Sequence, residues 1–364
     1  MTGLTSVAGD MAGAQAQVLL AAQMSLWARV RGARVRDIES ALWKDRSLVR
    51  AWAMRRTMFL LPSDELAVFV RGTTRRATYH FQSALRRIGS KEKLDKLLDC
   101  VMEILREPRS KVELGQMLGR FHGYKLKSRP GGGWGNKSLV PWLDVGKASL
   151  PVGWLLHVIA ARDVLCSGPN VGAESTFVRA DRWISGWKDV PVEKAEEELL
   201  VKYLRAFGPA TLQDFALWAG MYIRDAMQIW ARETENMAQV DVDGWKASIL
   251  RSDLGELREA EVDGPIVRFL PYFDSFLLGH KSHVNVVDEK NRKKVYRSQG
   301  WVSPVLLVDG RAYGVWNHEQ KGSDLQVRIT PFSKLPARVA SLAREEASGL
   351  GRFLECTNTA TAVE

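Results

Sequence analysis

Two glutamines one residue apart, Gln15-Ala16-Gln17, head an otherwise apolar stretch, and a third, Gln23, follows. A glutamine side chain is a neutral amide with one accepting oxygen and two donating hydrogens. The pair therefore offers hydrogen bonds without charge, unless it is only the polar end of a helix. His280 and His283 lie three apart in Gly-His-Lys-Ser-His. That spacing could suit a metal, but no third histidine, cysteine or carboxylate cluster accompanies them. Contact with a polyanion through His280, Lys281 and His283, or a place in a cleft, fits these residues better. Arg71, Arg75, Arg76, Arg86 and Arg87 crowd one basic segment, which is either a solvated helix face or a contact for phosphates, a role that positions without specifying. Asp274 reads as a hydrogen-bonded structural carboxylate. The chain has no Walker loop, HExxH or GxSxG, no lysine marked for a Schiff base, and no paired carboxylates of the kind a sugar hydrolase wants.

These residues sit in a chain of 364, 46% hydrophobic and 26% charged, enough for a substantial core in two to four domains. Lys and Arg outnumber Asp and Glu by 52 to 42, a surplus of +10 compatible with a nucleic-acid partner. Cys100, Cys166 and Cys356 are too far apart for a metal knuckle and odd in number, which fits a reducing cytoplasm. No basic-then-apolar leader opens the chain, and no run of about 18 apolar residues would span a membrane.

The elements repeat as helices followed by strand, turn and strand. Leu20, Met24 and Trp27 mark a helical face after the glutamines. On a helix, residues i and i+2 point about 200° apart, so two glutamines could not share a site from mid-helix, and Gly13 places them at a helix start. Residues 48–62 hold two β-prone halves around Arg55-Arg56, and Ser63 is expected to cap a new helix. A basic helix covers 73–88. The stripe Leu94, Leu97, Leu98, Val101, Ile104, Leu105 predicts another, and Ser110 with Glu113 forms a capping box for the next. Residues 129–137 read as a flexible glycine loop with Trp134 exposed; a helix near 151–161 and a strand pair follow. Residues 191–250 give three helices, the second capped by Thr211, and a hairpin at Asp243-Gly244, the pattern of a winged helix-turn-helix. The last section predicts three antiparallel β segments, a helix near 335–353 and a frayed tail. Trp27, Trp52, Trp218 and Trp230 are expected in the core.

Five segments in order, the Gln-Ala-Gln stretch with SLWAR, AWAMRRTMFLLPSDEL, LRAFGPATLQDFALWAG, FLPYFDSFLLGH and PVLLVDGRAYGVW, resemble one family, the AlkZ-like winged-helix DNA glycosylases. The resemblance spans residues 14–334. It implies an α+β, mainly helical fold: three tandem winged helices (1–90, 91–190, 191–262), then a small antiparallel β domain with a closing helix (263–364). It implies a monofunctional, metal-free enzyme without cofactor, acting as a cytoplasmic, nucleoid-associated monomer on damaged double-stranded DNA. The reaction would be hydrolysis of the N-glycosidic bond of alkylated purines, bulky N7-guanine adducts or interstrand crosslinks included. Gln15 and Gln17 take the positions of the family's catalytic motif, and the second Gln resembles the branch associated with self-resistance to DNA-alkylating products. Arg55, Arg56, Arg71, Arg75, Arg76, His280, Lys281 and His283 would contact DNA. The chain departs from the family in a short stretch before the motif, expected to trim the first winged helix or to mark a start further upstream, and in Arg56 and Phe59, where the family has glycine and histidine. The glycines at 131–133 are a third departure. The alternative reading is a non-catalytic winged-helix DNA-binding protein or regulator.

The implied chemistry is coherent. An N7- or N3-alkylated purine is already cationic and leaves as a neutral base, so no strong general acid is needed. What remains is to hold a water in line with an electron-poor sugar, which amide dipoles can do.

Overall fold

Helix and sheet alternate along the chain because apolar periods of 3.6 and of two alternate in the sequence. The computed structural model describes residues 3–131, 138–146, 148–160, 162–172, 174–262 and 264–364. Two units emerge, one from Met1–Leu48, Met54–Pro62 and Glu197–Glu364, the other from Val49–Ala53 and Ser63–Glu196.

The first unit opens with the helix Leu4–Asp10, seven residues or about two turns, in the short stretch expected to trim the first winged helix. Ala12 (φ 52°) and Gly13 (φ 87°) then turn the chain in the left-handed region. Ala14–Gln15 becomes a short strand antiparallel to Met58–Pro62, with Ala14 opposite Leu60 and Gln15 opposite Phe59. Gly13 is required there: a Cβ would stand 2.6 Å from Leu61 Cδ2. The predicted helix begins only at Leu19 and runs to Trp27, burying Ala21, Ala22, Met24 and Leu26. The glutamines thus precede the helix on extended and bent backbone, because the turn at Ala12-Gly13 delivers them to a strand edge.

The long helix Val192–Phe207, which belongs to this unit from Glu197 on, is followed by Leu212–Ala219, Ile223–Arg232 and the hairpin Met237–Val242 and Trp245–Leu250. Thr211 caps the second helix in a reciprocal box with Asp214, and Gly220 ends it in the left-handed region. Asp243 and Gly244 both have positive φ at the hairpin turn, as expected. The terminal sheet has five strands in chain order, Val267–Leu270, Val305–Val308, Arg311–Lys321, Asp324–Pro331 and Asn358–Val363. The helix Ala337–Phe353 lays Val339, Ala343, Ala347 and Leu350 into the core. The tail is not frayed: Asn358–Val363 pairs in parallel with Asp324–Ile329. Its alternating Thr and Ala suit an edge, and Gly351 lets the helix approach it, since a Cβ there would meet Thr359 Oγ1 at 2.0 Å.

In the second unit the apolar stripe of Lys91–Ile104 is buried as predicted, against Leu114, Leu118, Leu155, Leu156 and Phe177. Ser110 and Glu113 form their capping box. Trp52 stacks on Phe177 at 4.7 Å with His157 at 4.6 Å. Two expectations change. The helix expected from Ser63 starts at Leu66 with no side-chain cap. Part of the predicted glycine loop is sheet: Lys125–Gly131, Ser138–Val145 and Ala148–Pro151 pair in order. Residues 132–137, Trp134 among them, lie outside the described residues. Of the four tryptophans expected in the core, Trp218 is fully buried and Trp27, Trp52 and Trp230 are half-buried.

Deleting residues 357–364 removes a paired edge strand and exposes Leu325 and Val327 at the new edge. Thermal unfolding should show a melting temperature lower by about 5 °C or more.

Candidate active site

Gln15 is buried, at 7% exposure, and Gln17 two residues on is exposed. The backbone between them is held: Ala16 N–H donates to Met58 O at 2.6 Å. Gln15 ends the short strand and Gln17 sits in the bend after it, both outside the helix, so the separation of about 200° between i and i+2 on a helix does not apply to this pair. Gln23 is buried on the following helix, and its Nε2 has no partner among the described residues.

Arg55 reaches Gln15 directly. Its Nη2 donates to Gln15 Oε1 at 2.8 Å and its Nη1 to Trp218 O at 2.7 Å, and the guanidinium lies 5.6 Å from the centre of the Phe59 ring. Burial without a compensating carboxylate pulls Arg55 down to about 10, so it remains charged at neutral pH. Arg55 and Arg56 both have positive φ, 53° and 60°, in a turn closed by Thr57 N–H to Met54 O at 3.0 Å. Such a turn favours Asn-Gly, so two arginines there hold strained backbone at the site. Arg56 is half-buried.

Two adjacent residues from far along the chain bracket the glutamine segment. Ser275 Oγ donates to Gly13 O at 2.6 Å. Asp274, fully buried, accepts from Ser25 Oγ at 2.8 Å and from both Nη atoms of Arg29 at 2.9 and 2.8 Å. Burial opposes the Arg29 charge, but the charge and hydrogen bonds of Asp274 outweigh it and raise its pKa. Asp274 is thus the structural carboxylate the sequence predicted.

The remaining sequence candidates divide. His280 and Lys281 line a cavity of about 610 Å³ with Phe207, Pro209, Trp245 and Phe276. His280 Nε2 lies 3.3 Å from Pro209 O, and Lys281 N–H donates to Asp214 at 2.7 Å, leaving an exposed ammonium. His283 stacks on Tyr296 at 4.0 Å. Burial, then the nearby Arg292 and His280 charges, lower it to about 4, so it is neutral at pH 7 and presents no charge to a phosphate. Arg71 and Arg75 belong to the second unit, and both are engaged there. Arg71, 9% exposed, pairs with Asp189 at 2.6 Å, and Arg75 pairs with the fully buried Glu196. Their helical spacing predicted an exposed basic face, but carboxylates distant in sequence claim both guanidinium groups. Arg76 has its side chain outside the described residues; Arg86 and Arg87 are exposed. No cluster of three metal-ligating side chains occurs among the described residues, and no described helix is long and apolar enough to cross a membrane. The sequence pointed to Arg55 only as a DNA contact, without its bond to Gln15, and did not point to Ser275 at all. Only the unusual Arg-Arg at a strand-to-strand turn could have signalled the first.

The chain belongs to the AlkZ-like DNA glycosylase family, which matches residues 8–353 and so includes both glutamines. It is accordingly a DNA glycosylase, a hydrolase acting on DNA. It is similar to the interstrand DNA cross-link repair glycosylase of Streptomyces sahachiroi, at 29% identity over 96% of this chain and 92% of that protein. Among solved structures it is similar to the Streptomyces sahachiroi DNA glycosylase AlkZ, with a TM-score of 0.78 at 26% identity, covering 99% of this chain and 93% of that one.

Two substitutions probe the framework. Asp274→Ala strands Arg29 without its partner. Because Arg29 keeps a quarter of its surface, the loss in a urea titration should be about 2–3 kcal/mol, less than for a fully buried pair. The second concerns pH. His283 is near 6.5 when unfolded and about 4 when folded, so between those values the unfolded chain binds the extra proton. Its contribution is whole above pH 6.5 and is lost as pH falls toward 4. His283→Phe keeps the stack on Tyr296 and should flatten that decline in urea midpoints taken at pH 7, 5.5 and 4.5.

Proposed function

We propose that the protein hydrolyses the N-glycosidic bond of alkylated purines in double-stranded DNA, bulky N7-guanine adducts and interstrand crosslinks included, with Gln15 and Gln17 as its catalytic residues. The observation that carries this reading is the pair itself. One amide is buried and fixed at a strand end and the next is exposed in the bend after it, in a chain whose family is the DNA glycosylases. The crosslink activity carried by the name of its Streptomyces relative supports the substrate class, and a self-resistance role would follow from it.

In the reaction, water attacks the anomeric carbon and the C1′–N bond breaks. Its electron pair stays on the purine and cancels the positive charge that alkylation placed there. The surplus proton passes to solvent, since a neutral amide is a poor base. The amides hold the water in line, a contribution of geometry and dipole. Such a site suits only leaving groups that are already activated. It calls for neither a metal nor a Schiff base, so the enzyme is monofunctional. Three winged helices at 1–90, 91–190 and 191–262 with a β domain at 263–364 would act on DNA as a monomer, and Arg56, Lys281, Arg86 and Arg87 would contribute phosphate contacts.

The test is abasic-site formation, read after alkali, on duplexes carrying N7-methylguanine or an N7-guanine crosslink. Wild type should cleave, and Gln15→Ala with Gln17→Ala should lower the single-turnover rate by about 100-fold or more while salt-sensitive DNA binding persists. Binding by wild type without any base release would instead favour the non-catalytic DNA-binding reading.

A further inference from the structure

The two glutamines are not equivalent. A guanidinium carries N–H donors and no acceptor, so the face of Gln15 turned to Arg55 has to be its oxygen. The 2.8 Å contact fixes the amide in one of its two orientations, and the second bond from Arg55 to Trp218 O, 2.7 Å, keeps the guanidinium from following a flip. Gln15 Nε2 is thereby turned away from Arg55. Among the described residues nothing accepts from it, and it is not one of the buried polar atoms sealed without a partner. Around Arg55 the described partners are two neutral oxygens and the Phe59 ring. Its charge is not cancelled locally, and it polarises the amide it touches, strengthening the N–H groups on the far side as donors. Gln17, exposed, has both ends of its amide available.

We infer that Arg55 is a positioning residue that commits Gln15 to hydrogen-bond donation and leaves Gln17 as the acceptor of the pair, an assignment that rests on the glycosylase reading above. The donor of Gln15 meets an oxygen lone pair, from the attacking water or from a DNA phosphate, and the oxygen of Gln17 takes a hydrogen of the water. A water held so keeps one lone pair free for the anomeric carbon.

Replacing each glutamine by glutamate separates the roles, because a carboxylate keeps the acceptor and deletes the donor. With N7-methylguanine duplex at saturating enzyme, Gln15→Glu should fall about as far as Gln15→Ala, about 100-fold, although its carboxylate still pairs with Arg55. Gln17→Glu should turn over at a rate that rises with pH as the new carboxylate ionises, where Gln17→Ala stays low and flat. A loss by Gln15→Glu confined to the rate identifies water as the oxygen, and a loss in DNA affinity identifies the phosphate. Arg55→Met should lower the saturated rate about 10-fold or more with melting temperature held, and Arg55→Lys should recover part of it. Gln15→Glu with wild-type rate, or Arg55→Met with weakened affinity and an unchanged saturated rate, overturns the assignment while the glycosylase reading stands. Wild type that releases no base overturns both.

Discussion

The site hangs on two neighbouring residues, Asp274 and Ser275, that grip the glutamine segment from both sides. Ser275 holds the carbonyl of Gly13 just before it, and Asp274 holds Ser25 and Arg29 on the helix just after it. Between these anchors the chain makes a left-handed turn, a two-residue strand and a bend. None of these would persist alone, because a strand of two residues has too few hydrogen bonds to offset the entropy of ordering it. A buried carboxylate satisfied by a hydroxyl, a guanidinium and a backbone N–H is the kind of network whose removal loosens everything tied to it.

The same economy of partners explains the electrostatics. Where arginines need only support structure, carboxylates neutralise them, as Asp189 does for Arg71 and Glu196 for Arg75. At the glutamine pair the chain does the opposite. Arg55 is held by neutral oxygens and stays charged beside an amide. A neutral amide lined up by a fixed cation can orient a water or a phosphate without itself becoming a base, and the proposed reaction, on a bond already weakened by alkylation, asks for no more than that.

Helices were legible wherever one apolar stripe and one cap agreed: Ser110 with Glu113, Thr211 with Asp214, and the leucines of Lys91–Ile104 each lie where local rules put them. The sheet Lys125–Gly131, Ser138–Val145 and Ala148–Pro151 was not legible, since prolines and glycines mask its alternation. The C-terminal strand was hidden too, because an edge strand is stabilised by hydrogen bonds to a neighbour that the sequence does not name.

Period, capping and turn chemistry act over a few residues, so the sequence alone determined the helices, the Asp243-Gly244 turn, the basic surplus and, through ordered resemblance, the family. Only the tertiary structure decided that Gln15 lies at a strand edge and Gln17 in the bend before the helix, that Arg55 takes the oxygen of Gln15, and that Arg71 and Arg75 are engaged with carboxylates. Each of these rests on partners tens to hundreds of residues away, and which partner a charged or amide group meets is settled by how the chain closes on itself, not by its neighbours in sequence.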